Sequence, residues 1–249
     1  MSRRWMNVLV AALLTGALGV VATGCTRVEL GTGDEASSTS TSASVDLGDA
    51  GEAEVRIAMG AGELSVGAGA RAGKLMTADF DFSPSSWEPV VEHTLSGSLA
   101  TLEIRQPRSS GFPIGRAENE WDVRLSDKVE LELAVSIGAG ESRLELSGLD
   151  LRRLQLDVGA GDVTVDLSGG WENDMRASIQ GGAGSFRVLV PSTVGVRVTG
   201  SEAGLGTFEV DGLRRDGDEY VNDAYGTAPV TIELDVTRGV GEVRVEVVD

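Results

Sequence analysis

Few residues of this 249-residue chain are of types that do chemistry: one Cys (Cys25), one His (His93), 39 Asp and Glu, and 21 Lys and Arg. A metal cage of His and Cys needs three or four such ligands, and a Cys–His nucleophile needs both partners free for the task. One of each does not supply them. His93 lies in the strand-like run Val90-Val91-Glu92-His93-Thr94 with no second His, and reads as a surface or internally satisfied side chain. Carboxylates are plentiful, yet no spacing singles out an acid/base pair of the kind a glycosidase uses. A formal net charge of −18 repels phosphate backbones and excludes nucleic acid as a general partner. Several Gly-x-Gly turns remain. None is followed by Lys-Ser/Thr and a helix, as a phosphate cradle requires, and the calcium pattern G-G-x-G-x-D fails in register. In Gly181-Gly182-Ala183-Gly184-Ser185 the place of the Asp is taken by Phe186, and Asp162 follows Gly161 one position too early. No cofactor or metal is expected, and the chain reads as non-enzymatic.

Binding chemistry has two candidate segments. Arg105, Arg108 and Arg116 cluster in and beside the polar loop from Gln106 to Arg116, where they suit an anionic partner such as a wall polymer. Tyr220-Val221-Asn222-Asp223-Ala224-Tyr225-Gly226 offers Tyr220, Asn222 and Tyr225 to a sugar or peptide; its competing reading is a hydrogen-bonded corner before the final strands. Rigid scaffolds present binding groups on loops.

Cys25 has a use of its own. Ser2-Arg3-Arg4 is followed by the apolar stretch Val8 to Ala22, which is short for a spanning helix and reads as a signal peptide over residues 1–24. The stretch ends in Ala22-Thr23-Gly24-Cys25, which resembles the lipobox of bacterial lipoproteins, where cleavage precedes a Cys that carries the lipid. Ala22 stands where a Leu is usual. Several acyl chains together anchor stably. Removing Arg3 and Arg4 leaves 19 basic against 39 acidic side chains, a charge of −20 that holds the body away from anionic headgroups. Residues 25–50, with the Ser/Thr run Ala36 to Ser44, read as a flexible tether.

From residue 51 onward the elements that would position any binding groups are strands. Val129 to Ile137 is apolar at every odd position, and the same alternation marks Leu154–Val158, Val163–Leu167, Val194–Val198, Ile232–Val236 and Val243–Val247. Between them a corner returns: Gly60/Gly62, Gly138/Gly140, Gly159/Gly161, Gly182/Gly184, Gly204/Gly206 and Gly239/Gly241. Three consecutive intervals are 21, 23 and 22 residues, which is a repeat period. Each unit of roughly 22 residues reads strand, Gly-x-Gly, strand, turn, so the fold class is all-β: a stacked β-solenoid or rack, with parallel pairing of equivalent strands preferred. Residues 71–128, with Phe80, Phe82, Trp87 and Trp121, break the period and read as an insertion or end cap.

The motifs Met59-Gly60-Ala61-Gly62-Glu63-Leu64, Ile137-Gly138-Ala139-Gly140-Glu141 and Val158-Gly159-Ala160-Gly161-Asp162, with the ending Gly239-Val240-Gly241-Glu242-Val243, resemble the bacterial toast-rack domain proteins. They are similar to the C-terminal β domain of LiaF-type envelope-stress proteins and to adhesins of that group. The resemblance covers about residues 51–249 and implies a stacked β architecture with no catalytic residues. The function expected is a lipid-anchored, extracytoplasmic interaction or sensing module of the bacterial envelope, attached to the membrane through Cys25 and binding an envelope protein or polymer. The alternative is a periplasmic or surface carbohydrate- or ion-binding protein with a discrete pocket.

Overall fold

The computed structural model describes residues 38–107, 117–201 and 205–249. The alternating segments form fourteen strands: β1 (Thr39–Asp46), β2 (Glu52–Ala68), β3 (Lys74–Ser83), β4 (Val90–Ser96), β5 (Leu99–Arg105), β6 (Glu118–Leu125), β7 (Glu130–Glu145), β8 (Asp150–Asp166), β9 (Met175–Pro191), β10 (Gly195–Ser201), β11 (Leu205–Asp211), β12 (Arg214–Asp216), β13 (Glu219–Val221) and β14 (Thr231–Val248). A single 3₁₀ turn, Ser85–Trp87, is the only helical element among the described residues.

Where the sequence suggested two strands meeting at a corner, five strands run continuously through it. In β2 the buried apolar side chains are Ala53, Val55, Ile57 and Met59 before the glycine corner and Leu64 and Val66 after it. The step from 59 to 64 breaks the two-residue alternation, which keeps the apolar side chains of both arms on the inside of the bend. β7, β8, β9 and β14 repeat the pattern. These five strands pair in parallel in the order β2-β7-β8-β9-β14, in register apart from a bulge at Arg152 of β8, so inner rows such as Val66, Leu144, Val165, Val188 and Val245 stack across the rack. One apolar cluster fills the space between the arms.

Each end is completed by shorter strands, one set per arm. Beyond β2, the first arm continues through β5 and β4, and the second through β6, β3 and β1. Beyond β14, the first arm continues through β10, β13 and β12, and the second through β11. β14 therefore lies between β9 and the earlier pair β10 and β11. A regular period would have set β10 and β11 directly against β9.

The N-terminal boundary also differs from the sequence reading. Residues 39–46, assigned to the tether, form β1 on the outer edge of β3. An edge strand needs little apolar area: Val45 is buried and Ala43 half-buried, while the Ser40 hydroxyl donates to Asp81 and the Ser42 hydroxyl to Asp79 at 2.6 Å. The signal peptide, Cys25 and the tether before residue 38 lie outside the described residues.

Candidate functional site

The most regular surface of the molecule is the ridge where the five long strands bend. Its glycines stack on one another. A Cβ on Gly159 would overlap the carbonyl oxygen of Gly138, and one on Gly182 that of Gly159; a strand carrying any side chain here could not approach its neighbour to pairing distance. The second glycine of the motif adds a conformational demand, as at Gly161, where φ is +142°. Gly60, Gly62, Gly138, Gly140, Gly184, Gly239 and Gly241 occupy equivalent places in the bend.

Polar side chains finish the ridge at both ends. Gln106 accepts hydrogen bonds through Oε1 from the backbone N–H of Gly60 at 2.8 Å and from Asn119 Nδ2 at 3.1 Å. Asn119 Nδ2 also donates to the Ala61 carbonyl at 2.6 Å, and its Oδ1 accepts from the Trp121 indole at 2.8 Å. At the other end Arg238, only 6% exposed, donates to the carbonyls of Gly241 at 2.8 Å and Gly206 at 3.2 Å. These three residues do for the terminal units what the next glycine corner does elsewhere. The only signal for them in the sequence was Arg238 at a position held by Met59, Ile137 and Val158 in the first three units and by Gly181 in the adjoining one.

Two open grooves flank the ridge. One of about 790 Å³ runs along the first glycines, with Ser136, Asp157, Gln180 and Thr237 on its wall and Gln106 at its end. The other, of about 440 Å³, lies on the outer face of the second arm. There Asp81, Glu120, Glu63, Glu141 and Asp162 fall in one row across five strands. Like charges on adjacent strands oppose pairing. Glu120 shows the effect: desolvation, then Glu63, Glu118 and Asp81, raise its carboxyl above the ordinary range. Among the described residues no three His, Cys, Asp or Glu side chains are arranged to hold a metal ion.

The first arm carries the opposite arrangement. Arg176 of β9, Glu233 of β14 and Arg197 of β10 lie side by side, with Glu233 accepting from Arg176 at 2.8 Å and from Arg197 at 2.7 Å. The Arg176 hydrogen bond, and then that of Arg197, hold the Glu233 carboxyl below its ordinary value against the cost of desolvation.

The structure does not gather the sequence candidates into one site. Arg105, on β5 at the N-terminal end, is held by Glu92 at 3.3 Å and Glu103 at 3.8 Å. Arg108 and Arg116 lie outside the described residues. Asn222 is 2% exposed and serves the backbone: its Oδ1 accepts from Val196 N–H at 2.9 Å, and its Nδ2 donates to the Val194 carbonyl at 2.8 Å. It is a corner post and unavailable to a ligand. Tyr220 packs on Phe208 with centroids 5.8 Å apart, and Tyr225 donates its backbone N–H to the Asn222 carbonyl at 3.3 Å.

Bent parallel strands stacked on glycine corners, with two arms closing on one core, define a rack of β-units built to present outer faces. The chain belongs to the toast-rack family: residues 33–189 match the model described as the N-terminal domain of toast_rack, DUF2154. It is similar to the crystal structure of a candidate cell adhesion protein from Clostridium sporogenes, at 27% identity and a TM-score of 0.78, over 85% of this chain and 100% of that one. A candidate adhesin from Bacteroides fragilis aligns over 85% of this chain and 98% of its own, at 10% identity and a TM-score of 0.36, too low to add to the comparison. No functionally curated protein matches.

Proposed function

We propose that this chain is a lipid-anchored, extracytoplasmic interaction module of the bacterial envelope, acting by binding and not by catalysis. The observation that carries the reading is the match, along the full length of the other chain, to a candidate cell adhesion protein. The lipobox-like Ala22-Thr23-Gly24-Cys25 supports the anchor. The rack supports the binding role, since its rigid outer faces offer open grooves crossed by regular rows of side chains. Its partner is an envelope protein or polymer.

Metabolic labelling with a radioactive fatty acid, followed by cell fractionation, tests this. The native chain should take up label, sediment with membranes and be digested by protease added outside intact spheroplasts, whereas Cys25→Ser should be unlabelled and soluble. Label and membrane retention in Cys25→Ser, or protection from the external protease, would overturn the proposal.

A further inference from the structure

Three of the four sheet ends are closed by antiparallel strands: β4 on β5, β3 and β1 on β6, and β13 and β12 on β10. The fourth is different. β11 pairs in parallel with β14, and among the described residues no strand pairs with its outer edge. Alternate residues of this seven-residue strand therefore turn their backbone N–H and C=O groups outward, unpaired with any strand.

The side chains around that edge are unfinished in the same way. On β14 the inner residues Val243 and Val245 are 1% and 0% exposed, while the equivalent Phe208 and Val210 of β11 are only half-buried. The middle of the glycine corner is Ala61, Ala139, Ala160 and Ala183 in the units before. Toward this end it becomes Val240 and then Leu205, and these two lie side by side with 53% and 76% of their surface exposed. Nothing in the corner geometry asks for a larger apolar residue here. The outer face beside the edge carries Glu209, Asp211, Glu242 and Glu246, with Arg244 paired to Glu209 and at 3.8 Å from Glu246.

We propose that the free edge of β11 is a docking site for an extended segment of a partner protein, which adds as a further strand with apolar side chains against Leu205, Val240 and Phe208 and basic side chains over Glu209, Asp211 and Glu242. Strand addition derives affinity from main-chain hydrogen bonds and specificity from alternate side chains. Charge decides the occupant. A second copy would bring another −18 to an edge already bordered by carboxylates, whereas a basic strand is attracted to it. This rests on the reading of the chain as an interaction module, and it names where and by what chemistry the partner is held.

The test uses the full chain and synthetic peptides of about eight residues, the length of an ordinary strand, with binding read by fluorescence anisotropy. The probe alternates Lys and Val; one control replaces Lys by Glu, and another methylates alternate backbone nitrogens. The Lys/Val peptide should bind, more weakly as salt is raised, and both controls should fail. Leu205→Glu should weaken binding by at least about tenfold with an unchanged melting temperature. Leu95→Glu, on exposed β4 at the opposite end, should bind as the native chain does. Equal binding of the methylated peptide, equal effects of the two Leu substitutions, or a dimer dissolved by Leu205→Glu would overturn the proposal. A membrane-anchored chain that ignores all three peptides would overturn this site and leave the anchoring reading intact.

Discussion

Glu233 and Glu120 sit in the same kind of sheet with opposite electrostatic surroundings, and their pH dependences run in opposite directions. Glu233 ionises more readily in the folded chain than in the unfolded one, so its stabilisation is complete above the ordinary Glu pKa near 4.5 and is lost as pH falls through the lower folded value. Glu120 ionises less readily when folded, so its contribution turns unfavourable as pH rises through 4.5 to the raised value. Glu233→Gln should therefore lower the melting temperature at pH 7, by progressively less as pH is taken below 4.5. Glu120→Gln should raise it at pH 7, with the gain vanishing toward pH 4. Thermal unfolding of the two variants across this range checks both signs; a parallel response would remove the electrostatic account of the two rows. Neither role was legible in the sequence, because each depends on which strands become neighbours. Asn222 makes the same point: its residue type suited a binding loop, and only the fold shows both ends of its amide committed to backbone.

The bent strand was the most legible element, because its corner leaves the sequence little choice. Gly159 has no left-handed backbone, yet Gly159→Ala sets a methyl group against the Gly138 carbonyl oxygen, and relief requires a backbone shift of two paired strands. It should cost about 1–3 kcal/mol in denaturant unfolding, the range for overpacking a close contact. Gly170→Ala, with nothing within 4 Å of the added carbon, should cost far less. Equal costs would show that the ridge tolerates separation. Less legible were the elements whose identity depends on position. β1 has the composition of a linker and becomes a strand only because β3 offers it an edge and carboxylates for its hydroxyls. The place of β14 was hidden because any alternating strand fits any other by pattern alone. Its partners are chosen by details such as Glu233, which separates Arg176 from Arg197; the 35-residue interval before Gly239 was the sequence trace of the detour.

At the scale of the molecule, stability is a sum over neighbouring units, as expected for a stack in which each unit touches only those beside it. β7 and β9 both match β8 in register through the bend, so either can serve as the other's neighbour. Deleting residues 148–168, one full period, should yield a chain with a β circular dichroism spectrum and a single cooperative transition at a lower temperature. An unfolded product would show that the units are individually indispensable. The position of β14 also bears on the order in which the rack can be completed. β10, β11 and the β12–β13 pair precede β14 in the chain, yet their place in the rack exists only once β14 has paired with β9. The far end of the rack therefore acquires its native partners only after β14 has docked, and until then β9 presents a full-length unpaired parallel edge.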